Sequence, residues 1–191
     1  MSPVAIRASS WSELFDCAAR WAAKNIDGVW SPPSVPSVIG TAIHAGTAAF
    51  DESSIRGCRI SIADAADIAA DALLASNQVS WTTADTSRRE AEAIVISQTM
   101  EYCRAFAHYK WVAVELTCAP LAVDVDGVEI VLTGSLDRLR LFDDESIGIV
   151  DLKSGARRID SDGIVDVVSD GPQLGAYEVL AENELGTTID G

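Results

Sequence analysis

The pattern of apolar and polar positions divides the chain into a helical half and a strand-rich half. Trp11, Leu14, Phe15, Ala18, Trp21 and Ala22 recur at helical spacing, and Ser10 with Glu13 reads as a capping box, so a first helix is predicted over about 11–24. Asp27 to Pro36 contains three prolines and a glycine and reads as a loop. A second helix, short and rich in small residues, is expected from about Ser37 and carries His44. Two more are predicted over 61–77 and 86–109, the latter with Ala91, Ile94, Val95, Gln98, Tyr102, Ala105 and Phe106 on one stripe.

From Val112 the pattern changes to short runs rich in Val, Ile and Leu. Residues 112–118, 121–125, 128–133, 136–142 and 147–153 read as strands, with Asp126-Gly127 as a hairpin turn. An acidic loop follows over Arg157 to Gly171; Pro172 then opens a helix that runs to about Leu185, with Gly186 as its stop. Thr187 to Gly191 read as the approach to a further strand, which favours a truncated chain over a natural end. The expectation is one domain over 1–191, helical over residues 1–110, with a sheet core and a C-terminal helix over 111–191.

Composition bounds the function classes. A chain of 191 residues is one domain in size and removes roughly 70% of its unfolded surface from water. Hydrophobic residues at 48% and charged ones at 23% exclude wholesale disorder. The amino terminus lacks a basic segment followed by an apolar run, and no apolar stretch approaches the ~18 residues of a membrane span, so a cytoplasmic protein with no membrane partner is expected. Cys17, Cys58, Cys103 and Cys118 form no C-x-x-C pair, which argues against a zinc ribbon and fits reduced, structural thiols.

The net charge of −15 argues against a broad basic surface for nucleic acid. Its distribution softens that conclusion. No Lys or Arg follows Arg158, whereas eight of the 29 acidic residues do, so residues 1–158 carry the other 21 acids against all 14 bases.

The candidate chemistry lies in four short signals: Gly40-Thr41-Ala42-Ile43-His44, Gly134-Ser135-Leu136-Asp137, Asp151-Leu152-Lys153 and Gln173-Leu174-Gly175-Ala176-Tyr177. On a strand Asp151 and Lys153 would face the same way, about 6.6 Å apart, with the Leu152 side chain on the opposite apolar face and its carbonyl able to act as a ligand. A short turn over Asp143 to Ser146 would make Asp137 and Asp151 neighbours. Two ionised carboxylates this close repel unless a cation lies between them, and hard oxygen ligands favour Mg²⁺ or Mn²⁺. Such an ion polarises a phosphoryl oxygen and activates water, and Lys153 would orient that water. An imidazole ligand from His44 would bias the site toward Mn²⁺. Each signal alone has an ordinary structural reading: His44 as a satisfied helix residue, Gln173 and Tyr177 as a half-buried pair one turn apart, Glu115 as a surface carboxylate.

Taken in order, the signals resemble the RecB-like branch of the PD-(D/E)xK nuclease superfamily, which includes Cas4-like and phage recombination exonucleases. The likeness covers about residues 9–186 and extends to Ser9-Ser-Trp-Ser-Glu-Leu-Phe-Asp-Cys-Ala-Ala-Arg-Trp21 as the family's first helix. It implies an α/β (α+β) restriction-endonuclease-like core, a mixed central sheet flanked by helices. By the same resemblance Asp137, Asp151 and Lys153 are catalytic, His44, Asp137, Asp151 and the Leu152 carbonyl bind Mg²⁺ or Mn²⁺, Gln173 and Tyr177 line the DNA path, and Glu115 is an accessory acid.

The implied activity is that of a DNase, an exonuclease rather than an endonuclease, in recombination, repair or phage replication, in a bacterial cell or an infected host. DNA is the expected partner, together with a recombination or helicase protein; self-association is left open. Only Cys17 stands where Cas4-like relatives place an iron–sulfur ligand, so no cluster is predicted for this chain. The competing classes are an acidic DNA mimic or inhibitor, for which the charge itself would be functional, and an inactive nuclease fold used for assembly.

Overall fold

A computed structural model describes residues 3–76, 79, 81, 86–154 and 171–189. They fall into two compact units, one of residues 3–30, Glu115–Asp151 and 171–189, the other of Ser31–Val114 and 152–154. Residue 77 of the third predicted helix and residues 157–170 of the acidic loop lie outside the described residues. Among those described, no helix is long and apolar enough to cross a membrane.

The first unit holds two three-stranded sheets among the described residues. In one, β1 (Val4–Arg7) runs parallel to β4 (Val128–Thr133), which pairs antiparallel with β3 (Leu121–Val125). The β3–β4 hairpin turns at Asp126 and Gly127, whose φ values of 54° and 81° are the two positive angles that a tight hairpin turn requires. The other sheet has the order β2–β5–β6, from β2 (Lys110–Thr117), which enters this unit at Glu115, β5 (Ser135–Leu141) and β6 (Ile147–Val150). β5 and β6 are antiparallel from Leu141↔Ile147 to Arg138↔Val150. Their turn is the predicted Asp143–Ser146 segment, closed by the Phe142 N–H donating to the Ser146 carbonyl at 2.9 Å.

Helix α6 (Gly171–Leu185) buries Gln173, Ala176, Tyr177, Leu180 and Ala181. It stops at Gly186, whose φ of 65° suits glycine and whose N–H donates to Glu182 O. The unpredicted strand β1 has only four residues, too few for its alternation to be read.

The predicted helix over 11–24 is two: α1 (Trp11–Asp16) and α2 (Ala18–Asn25), separated by an extended Cys17 at φ −154°, ψ 93°. The capping box at its start does not form, because its members have other partners. The Ser10 hydroxyl donates to Arg7 O at 2.9 Å and accepts from the buried Trp21 indole at 3.0 Å, while Glu13 pairs with Arg20 and Lys24. Tertiary anchoring of Trp21 therefore overrides the local signal.

The second unit is a packed set of α3 (Val35–Ile55), α4 (Ile62–Ala75) and α5 (Arg88–Phe106). α3 is not short: it has 21 residues, starting where the Ser34 hydroxyl accepts the Ser37 N–H and Pro36 fills the first turn. Both α4 and α5 open with complete capping boxes, Ser61 with Asp64 and Ser87 with Glu90. The expected stripe on α5 is real at Ala91, Val95 and Tyr102, which are buried with Val38, Ile39, Ile43 and Leu73 in one cluster and Phe50 and Cys103 in another.

Small residues set the spacing of α3, as expected from their abundance. A Cβ on Gly46 would fall 2.5 Å from Ala65 O and 2.7 Å from Ala69 Cβ, inside contact distance of a neighbouring backbone. Gly→Ala in an open helix stabilises by up to about 1 kcal/mol, whereas forced overpacking costs about 1–3 kcal/mol, so the clash wins. Urea unfolding of Gly46→Ala is predicted to show a net loss of about 1–2 kcal/mol; a variant as stable as the parent would contradict this packing.

Candidate active site

In the first unit three carboxylates and two polar helix residues share one region. Asp137 sits on β5 and Glu115 on β2, strands that are neighbours in their sheet, and their carboxylate oxygens lie within 4.8 Å of each other. The β5–β6 ladder ends at Arg138↔Val150, so Asp137 and Asp151 are the residues next beyond its last pair. Asp151 is held from α6: the Gln173 amide Nε2 donates to Asp151 Oδ1 at 3.2 Å and to the Tyr177 hydroxyl at 3.2 Å. A carboxylate only accepts, which fixes the amide with its nitrogen toward Asp151.

Gln173 and Tyr177 are both buried, at 9% and 5% exposure, so the pair expected one turn apart on α6 acts together upon Asp151. The Tyr177 hydroxyl is pushed up to about 12, first by burial and then by the negative charges of Asp151, Asp137 and Glu115, against the opposing effect of its Gln173 hydrogen bond. The glycine of the Gly134…Asp137 signal explains the approach of this helix. A Cβ at Gly134 would lie 2.9 Å from Leu180 Cδ1 and 3.2 Å from the Tyr177 ring.

The second unit gives the Gly40…His44 signal a similar meaning. Gly40 leaves room for Ser154, whose hydroxyl oxygen would sit 3.0 Å from an added Cβ, and one turn later His44 Nε2 hydrogen-bonds the Leu152 carbonyl at 3.0 Å. Glycine and histidine four apart thus seat the segment 152–154 on α3. The Leu152 side chain packs against both apolar clusters of that unit, so it does face an apolar environment. Lys153 is exposed.

The strand expected through Lys153 is corrected by the structure. β6 ends at Val150, so Asp151 and Lys153 do not stand on a regular strand and the strand-spacing argument for a shared face does not apply. Beyond Val150 the Leu152 carbonyl is engaged by the His44 imidazole in place of a strand partner.

Arg138 was not among the residues expected at the site. Its guanidinium is fully buried, and Nη1 donates to Glu115 Oε1 at 3.1 Å and to the Asp137 carbonyl at 2.7 Å. The available signal was a cation two residues from the buried Leu136, on the same face of β5. Glu115, expected as an accessory acid, accepts the first of these bonds and takes an unusual left-handed φ of 48° within a strand.

The family model of the PD-(D/E)XK nuclease superfamily matches residues 6–189. The chain belongs to that superfamily. The mixed sheets and six described helices agree with the restriction-endonuclease-like fold of this nuclease superfamily. No curated protein matches the chain significantly.

The shifted Tyr177 gives a pH prediction. Its folded value lies above the unfolded value near 10, so the neutral phenol contributes stability that is fully present below pH 10 and is lost as pH rises toward about 12. In ultraviolet titration, the difference between the native protein and Tyr177→Phe should show a tyrosinate forming near pH 12, with alkaline stability falling less steeply in the variant. A difference signal centred at about pH 10 would show that Tyr177 is not desolvated.

Proposed function

We propose that the protein is a Mg²⁺- or Mn²⁺-dependent deoxyribonuclease of the RecB-like branch, acting as an exonuclease in recombination, repair or phage replication. The observation that carries the metal-dependent reading is the approach of the Glu115 and Asp137 carboxylates to within 4.8 Å beside a region that also holds Asp151. Carboxylates so placed are mutually repulsive without positive charge.

The donor set fits a hard divalent ion. Asp137 and Asp151, with Glu115 as an additional acid, supply oxygen ligands; the Leu152 carbonyl and His44 complete the proposed set. His44 Nε2 and the Leu152 carbonyl are 3.0 Å apart, and His44 would serve as a ligand through Nε2 with its proton carried on Nδ1. When bound, the ion would polarise the scissile phosphoryl group and acidify a water.

The chain's own residues would do the rest. Asp137 and Asp151 bind the ion and fix its position, Gln173 keeps the Asp151 carboxylate turned into the site, and Tyr177 stays protonated as a neutral wall behind it. Lys153 orients the attacking water and offsets charge on the transferring phosphoryl group. DNA is the proposed substrate, with Gln173 and Tyr177 beside its path. A helicase or recombination protein as partner, and the preference for ends, are supported by the resemblance of the ordered signals to RecB-like enzymes. The family match over 6–189 supports treating both units as one nuclease domain.

The net charge of −15 favours one other reading, a DNA mimic. A mimic presents its acids to solvent at phosphate-like intervals, whereas Asp137 and Asp151 are half-buried and the Asp151 carboxylate is bonded by Gln173.

Digestion of linear and circular DNA with Mg²⁺, Mn²⁺ or EDTA tests the proposal. Linear DNA is predicted to be degraded with either metal and spared in EDTA, with Asp151→Asn and Lys153→Ala each at least about a hundredfold slower. Cleavage that survives both substitutions, or that never appears with either metal, would remove the nuclease reading. Loss of Gln173 should weaken rather than abolish activity: Gln173→Leu is expected to raise the Mn²⁺ concentration needed for half-maximal rate several-fold. An unchanged metal requirement would detach Gln173 from the site.

A further inference from the structure

Tyr177 borders two places in the first unit: the acidic region, which its hydroxyl meets, and a cavity of about 470 Å³ lined also by Arg7, Ser9, Thr117, Thr133 and Ser135. Taking the acidic region as a nuclease site, we propose that this cavity seats a second DNA phosphate. That phosphate lies one nucleotide from the one at the metal and is held by Arg7 and the hydroxyls of Ser9, Thr117 and Ser135.

Strand spacing ties the two places together. Ser135 and Asp137 stand two residues apart on β5, so they face the same way, about 6.6 Å apart along the strand. Each has a partner on β2: the Ser135 and Thr117 hydroxyls are 2.9 Å apart, and the Asp137 and Glu115 carboxylates lie within 4.8 Å. The Cys118 N–H, donating to the Gly134 carbonyl at 3.1 Å, pins the two strands beside the cavity. A pair of hydroxyls therefore follows a pair of carboxylates by one two-residue step of the sheet, close to the separation of successive phosphates on an extended nucleic-acid strand.

The donors suit an anion. Thr117 and Ser135 have two hydroxyl hydrogens, of which their mutual bond uses one and leaves the other for a ligand. Arg7 ends β1 in register with Thr133 of β4, which fixes its backbone at the cavity. Its side chain is exposed and, among the described residues, has no ion-pair partner, in a chain with 29 acids to 14 bases. A guanidinium with several hydroxyls is a donor set that proteins direct at phosphate oxygens. No lining residue is acidic. Glu184, whose charge reaches the Cys118 thiol in the cavity wall, accepts the Ala119 N–H at 2.8 Å. Glu115 and Asp137, one step away, repel a phosphate until an ion lies between them, so filling of the cavity depends on the metal.

Thymidine 3′,5′-bisphosphate carries two phosphates one nucleotide apart and probes both places at once without any cleavage. It is titrated calorimetrically into the Mn²⁺-loaded protein, with thymidine 3′- and 5′-monophosphate as controls. The bisphosphate should bind at least about tenfold more tightly than either monophosphate, and EDTA should remove that margin. Arg7→Gln should reduce the margin to within about twofold while leaving the tighter monophosphate unchanged, and Arg7→Lys, which keeps the charge, should retain part of it. Thr117→Val, which removes a hydroxyl at constant shape, should reduce it as well. No margin in the native protein, a margin that persists in EDTA, or one that Arg7→Gln leaves intact overturns the inference. An Arg7-dependent margin in a protein that cuts no DNA would leave the phosphate seat standing while the nuclease reading fell, and DNA digestion without such a margin would do the reverse.

Discussion

Like charge gathered in the first unit is what the surrounding residues are arranged to tolerate. Glu115 and Asp137 approach within 4.8 Å, and both act with Asp151 on one buried hydroxyl. Such an arrangement is unfavourable unless other groups compensate it. Arg138 supplies permanent charge from within the sheet, Gln173 supplies a directed amide from α6, and the proposed ion supplies what remains. At Gly134 a Cβ would crowd the Leu180 methyl and the Tyr177 ring, so glycine there eases the approach of α6.

The second unit is held by apolar packing and backbone bonding. Its apolar clusters seat the Leu152 side chain, and α3 takes up the following residues by means of Gly40 and His44. Asp151 and Leu152, joined by one peptide bond, thus belong to different units. In the short Asp-x-Lys signal the first residue is held by a helix amide, the second packs its side chain on apolar clusters and is bonded through its carbonyl, and the third is exposed.

Much of this was legible in the sequence, for identifiable reasons. Helices α4 and α5 announced themselves through Ser61 and Ser87 with their acids three residues on, and the β3–β4 hairpin through Asp126-Gly127, because these are local devices whose energy depends on near neighbours. The grouping of Asp137 with Asp151 followed from a short turn between antiparallel strands. What failed was local reasoning where a distant partner decides. Ser10 and Glu13 have the composition of a cap, yet the Trp21 indole and two basic side chains of α2 claim them, and the helix breaks at Cys17. The strand expected through Lys153 ends at Val150, and the Leu152 carbonyl beyond it bonds a helix imidazole instead of a strand. Arg138 escaped notice because a buried cation on a strand looks like an ordinary surface residue until the carboxylate facing it is known.

In the proposed enzyme Asp137 and Asp151, with Glu115 as an additional acid, hold a divalent ion. Anomalous X-ray scattering from crystals grown with Mn²⁺ would locate that ion without reference to activity. A single strong anomalous peak is predicted within bonding distance, about 2.0–2.4 Å, of an Asp137 oxygen and an Asp151 oxygen. A peak that avoids Asp137 and Asp151, or crystals saturated with Mn²⁺ that show none there, would contradict it.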